Sequence, residues 1–144
     1  MRPAVLIAAC SLAAAAATAF AADNVLHPQA PAGAKVFFVD LQDGATVGQE
    51  LHVNFGVSGI ALAPATDTTP GTGHHHLLID ANEPPPPGVP IPKDATHLHY
   101  GQAQTTDTLH LAPGDHTLQL VFANAAHVPF EPSIQSKKIT VHVQ

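Results

Sequence analysis

Leu51-His52-Val53-Asn54-Phe55-Gly56-Val57-Ser58 alternates strictly between apolar residues and polar or small ones. Successive side chains of an extended chain point to opposite faces. The stretch therefore reads as a half-buried strand, with Leu51, Val53, Phe55 and Val57 inward and His52 toward solvent. The same period returns in Leu118, Leu120 and Phe122, and in Ile139, Val141 and Val143, which alternate with Lys138, Thr140 and His142. Leu109 and Leu111 mark a shorter strand over 108–111. Lys35 to Leu41 is apolar enough to suggest a strand covered on both faces. His74 to Asp80 and His97 to Tyr100 complete the set. Asp43-Gly44 and Pro113-Gly114 are turn signals, and 59–73 is a loop rich in Pro, Thr and Gly. The six prolines between Pro84 and Pro92 cannot donate ladder hydrogen bonds, so this segment is a stiff excursion outside the sheet interior.

No helical period appears after the first two dozen residues. About seven short strands separated by turn signals predict an all-β, immunoglobulin-like antiparallel β-sandwich. A closed barrel is the alternative. The expected buried set includes Val53, Phe55, Val57, Leu118, Leu120, Phe122, Ile139 and Val141.

The chain start has the three parts of a secretory leader: Arg2, an apolar run from Ala4 to Ala17 broken by Ser11, and a small-x-small site at Ala19-Phe20-Ala21. The run is too short and alanine-rich to span a bilayer. Residues 1–21 are read as a signal peptide, 22–33 as an N-terminal tail and 34–144 as one domain. The competing reading of Ile7-Ala8-Ala9-Cys10 as a lipoprotein box places an apolar segment where a polar tether is expected. Cleavage near Ala21 predicts a periplasmic or secreted protein with no membrane insertion after processing. It also removes Cys10 and Met1, the only residues of their kinds, so the processed chain has no disulfide or thiol chemistry. Without Arg2, four basic residues face eleven acids, a formal net charge of −7 in place of −6. That balance argues against nucleic acid and anionic lipid as partners.

Eleven histidines outnumber lysine and arginine together. Imidazole titrates near neutrality and is the commonest metal ligand. His52, His110 and His142 alternate with core aliphatics and read as surface residues. His27 lies in the tail, with no structural role expected. His74-His75-His76 is different: His74 and His76 share one face of a strand and His75 takes the other. His97-Leu98-His99 repeats that geometry. Residues i and i+2 of a strand lie roughly 6–7 Å apart, so two such pairs on neighbouring strands suit one shared ion bonded at about 2 Å. His116 follows the Pro113-Gly114 turn and either joins that site or caps the turn. His127, in a proline-bounded loop, is either a fifth ligand or a supporting group. Asp80 and Asp94 either orient an imidazole or end their strand and turn; Asp115 reads as a turn residue. Such a site needs neutral imidazoles, so its affinity is expected to fall as pH drops through about 6.5.

Several segments together resemble a family of small exported bacterial proteins, the domain of unknown function 4399 family. They are Gly73-His74-His75-His76-Leu77-Leu78-Ile79-Asp80, Pro92-Lys93-Asp94 leading to His97-Leu98-His99-Tyr100-Gly101, Gln104-Thr105, Pro113-Gly114-Asp115-His116-Thr117-Leu118-Gln119-Leu120, and His127-Val128-Pro129. The likeness runs from about Pro31 to Val143. Two positions depart: Thr106 stands where the family has an acid, and Phe130 where it often has a histidine. The resemblance implies the fold and export, and supplies no activity.

The functional expectation is a periplasmic metal-binding domain for copper or zinc, with His74, His76, His97, His99, His116 and His127 as the ligand pool. A blue-copper carrier is excluded because that site needs a cysteine, and a thioether-rich Cu(I) carrier because methionine is missing after processing. The competing expectation is a non-catalytic envelope scaffold or a protein- or glycan-binding module, whose partner is another envelope protein and whose histidines are structural. No Ser-His-acid arrangement supports nucleophilic catalysis. Metal-assisted chemistry would need an open coordination position.

Overall fold

A computed structural model describes residues 24–144; the expected leader over 1–21 lies outside them. After a single helical turn at 24–26, the described chain is built from nine strands: β1 (Lys35–Phe38), β2 (Ala45–Val47), β3 (Glu50–Ser58), β4 (Ala61–Leu62), β5 (Thr72–Ile79), β6 (His97–His99), β7 (Thr106–His110), β8 (Gly114–Ala123) and β9 (Ile139–Val143). One sheet has the order β1-β3-β7 and is antiparallel throughout. The other has the order β2-β9-β8-β5-β4, with β6 also pairing β5.

The two sheets face each other across one core. Val53 and Phe55 of β3 and Leu109 of β7 meet Leu77, Leu118, Leu120, Phe122, Ile139 and Val141 from the second sheet. Every member of the expected buried set is buried except Val57, which is half-buried. His52, His110 and His142 are exposed, as the alternation requires.

The number of strands exceeds the expected seven because β2 and β4 are short parallel additions, β2 against β9 and β4 against the start of β5. Two or three residues carry too little periodicity to be read as strands. β1 also departs from expectation. Val36 is inward at 3% exposure, but Phe37 and Val39 are exposed at 40% and 52%. This edge strand is covered on one face only. Phe37 lies across Gly56, where a Cβ would run into its ring.

The outer face of the second sheet is covered as well. Leu78, Val121 and Ala123 project there and pack with Ile91 from the proline-rich segment as a second, smaller core. That segment is anchored where the Ile91 N–H donates to the His127 carbonyl at 2.8 Å. The N-terminal segment is also tied down. Ala30 and Glu131 exchange backbone bonds with the chain beside them, Ala30 N–H to Glu131 O at 2.8 Å and Glu131 N–H to Pro28 O at 2.7 Å. His27, expected to do nothing structural, stands 2.7 Å from the Glu131 carboxylate.

Candidate metal centre

The site begins with the alternation of β5. His75 and Leu77 point into the sandwich, where His75 lies 5.5 Å from the Phe55 ring and 5.3 Å from that of Phe122. His74 and His76 point outward, yet the covering segments leave them 0% and 1% exposed. Antiparallel pairing sets His99 of β6 directly opposite His76, and directly opposed residues bring their side chains together. His127 arrives from the loop after β8. That loop winds about Asn124, whose Oδ1 accepts the N–H groups of Ala126 and Val128, both at 3.0 Å, while its carbonyl accepts the His127 N–H at 2.8 Å. The result is a left-handed backbone at His127, φ 64°, a conformation that non-glycine residues hold only where their surroundings over-determine it.

Four imidazoles from three distant segments thus converge. One ligand atom from each of His74, His76, His99 and His127 lies within 4.8 Å of all the others. His74 Nε2 stands 3.1 Å from His76 Nε2 and 3.1 Å from His99 Nε2. Nitrogens bound tetrahedrally to one ion at 2.0–2.1 Å are separated by about 3.3 Å, so these two separations are close to those of a ligand shell. Hydrogen bonding alone does not satisfy it. A neutral ring nitrogen is either one donor or one acceptor, so His74 Nε2 can make a good hydrogen bond to only one of these two neighbours at a time. A central cation uses all the lone pairs at once.

Burial keeps these lone pairs free. Desolvation, then the neighbouring His99, His127 and His75, lower the pKa of His74 to about 4. His76 falls to about 2, again through burial first and then His74, His127 and His99. His99 is lowered by burial, His127 and Lys93, and His127 by burial. His75, behind them, is held at about 4 by burial. The pH at which protons compete for the site therefore lies below the 6.5 expected from free imidazole.

The structure does not bring His97 and His116 into this group. His97 shares the face of His99 but pairs with Leu78, two residues beyond His76 along β5. Its Nδ1 is taken by Asp94 Oδ1 at 2.8 Å. His116 sits at the other end of the sandwich, with Nδ1 2.7 Å from Asp80 Oδ2 and Nε2 2.9 Å from the Ala112 carbonyl. Asp80 and Asp94 do orient imidazoles, but those of these two histidines. Alternation shows which side chains share a face; it does not give the distance along that face.

Two supporting residues were not legible as such. Asn124 shapes the His127 loop, and its only sequence signal is its place ahead of Ala125-Ala126-His127. At Gly101, two residues after His99, a Cβ would collide with the His99 ring. The bare glycine is what lets that imidazole lie where it does.

A family profile described as a domain of unknown function (DUF4399) matches residues 53–144. The chain belongs to the DUF4399 family. Comparisons with curated proteins and with solved structures find no match. The DUF4399 match begins later than the motifs suggested, inside β3 and not near Pro31, and it contains all four clustered histidines. Thr106 and Phe130, the two expected departures, are not among them. Thr106 Oγ1 donates to the Val53 carbonyl at 3.0 Å, and Phe130 is a core residue stacked on Phe122.

Proposed function

We propose that this chain is an exported transition-metal-binding domain that holds copper or zinc through His74, His76, His99 and His127. The observation that carries the reading is the convergence of four neutral imidazoles, two of them fully buried, within 4.8 Å of one another. Crowding buried imidazole nitrogens that hydrogen bonds cannot all pair costs free energy, and a bound ion would use their lone pairs together. Imidazole donors suit copper and zinc.

Copper and zinc titration of protein purified without a histidine tag tests this. One equivalent should bind saturably. His76→Ala and His99→Ala should weaken binding at least about tenfold, in the range of losing a metal-site group, while His142→Ala on the exposed face of β9 should leave it unchanged. Equal losses in all three, or no stoichiometric binding in the parent, would sink the reading and leave the scaffold alternative. Export rests on the leader pattern at residues 1–21. N-terminal sequencing of secreted material should begin at or within two residues of Ala22, and a lipid-modified Cys10 would overturn it.

A further inference from the structure

The donor set carries no charge. All four candidate ligands are imidazoles, and among the described residues no carboxylate bonds to any of their rings. Asp94, which ends the nearby proline-rich segment, is spent on His97 and Thr96. The surroundings on the outer face are apolar: His74 and His76 pair with Ala123 and Val121 of β8, beside Leu78 and Ile91. Behind β5 lies His75, flanked by two phenylalanine rings. Lys93, an exposed cation, acts electrostatically on His99.

We propose that this site selects its ion by charge, taking monovalent copper in preference to a divalent ion such as zinc; the inference rests on the metal-binding reading above. The dehydration cost of an ion grows with the square of its charge, whereas its gain from neutral ligand dipoles grows about linearly. Neutral ligands alone therefore serve a dication taken out of water less well than a monocation, and the dication gains more from an anionic ligand or counter-charge. This site offers neither.

The second set of ring nitrogens leads to the same conclusion. An imidazole that ligates through Nε2 carries its proton on Nδ1, and metal-bound histidines ordinarily donate that proton to a carboxylate or carbonyl, which raises their basicity. The Nδ1 atoms of His74 and His76 are buried with no partner. A dication withdraws more electron density from the ring than a monocation does, so an unmet Nδ1–H costs more beneath it. The absence of cysteine and methionine from residues 22–144 removes the usual soft donors for Cu(I). The selection argued here acts through charge.

The experiment compares two competitions on the untagged protein at pH 7 and low ionic strength: Cu(I) against bicinchoninate under anaerobic conditions, and Zn(II) against a chromogenic zinc chelator. Cu(I) should bind one equivalent with a dissociation constant about 100-fold or more below that of Zn(II), the order expected when charge solvation decides. Because the two ions differ in more than charge, the ratio is also measured in Lys93→Glu. Reversing this exposed charge acts twice as strongly on a dication, so it should move the Zn(II)-to-Cu(I) affinity ratio toward zinc by about three- to tenfold. Lys35→Glu, on β1 of the opposite sheet, should not move it. Zinc binding as tightly as Cu(I), or a ratio indifferent to Lys93→Glu, overturns charge selection and leaves the metal reading standing. No saturable binding of either ion overturns both.

Discussion

His116 meets an acceptor on each side of its ring, Asp80 Oδ2 at 2.7 Å and the Ala112 carbonyl at 2.9 Å. Both contacts need an N–H, so the imidazolium is the form that fits. The hydrogen bond to Asp80 and then that to Ala112 raise its pKa. A base whose pKa is raised by folding contributes stability that is full below its unfolded value near 6.5 and is lost as pH rises through the folded one. His74, His75 and His76 have the opposite sign. Their folded values, about 4 for the first two and about 2 for His76, lie below the unfolded one. The unfolded chain takes up protons first, and the metal-free protein loses stability as pH falls below about 6.5. Urea midpoints should therefore peak near neutrality and decline on both sides. His116→Ala should cost about 1 kcal/mol at pH 6, a charge-assisted bond discounted for the exposure of Asp80, and much less at pH 9. A loss of equal size at both pH values would show that His116 acts by packing alone.

β5 and β6 carry the site, and the fit between them depends on a residue with no side chain. A methyl group at Gly101 would occupy the space of the His99 ring. Because that ring is the far end of a flexible side chain, Gly101→Ala should fold and push His99 out of the group. The expected result is metal affinity reduced by about tenfold, comparable to disturbing a supporting group, with an unfolding midpoint within about 0.5 kcal/mol of the parent, as for an ordinary surface change. Unchanged affinity would mean that His99 is not held by this contact.

These two strands also show how far the sequence can be read. The period of β3, β8 and β9 was plain because each has one face in the core, and that face repeats every second residue. The alternation also showed that His74 and His76 share a face and His75 takes the other, for the same reason; it did not show which face is outward. Their burial was not legible, since the cover comes from the proline-rich segment and the His127 loop, which have no period. His97 and His116 were expected in the site because they share its residue type and general setting. What separates them is two residues along the strand pair in the first case and the length of the sandwich in the second. β2 and β4 escaped notice because parallel pairing of two or three residues leaves no local signature.

Taken whole, the molecule is a sandwich with a third, partial layer of irregular chain over one sheet, and the histidine group lies beneath that layer. The layer is assembled from both ends of the described chain. Asn124 Nδ2 donates to the Val25 carbonyl across 99 positions, and His27 meets Glu131 across 104. This lacing has a consequence in time. Residues 25–30 are among the first of the domain to be synthesised, and they wait for nearly all the rest before their partners exist. Until His127 has emerged, His74, His76 and His99 have no fourth companion and only part of their cover. The histidine group is therefore complete only once nearly the whole described chain is in place.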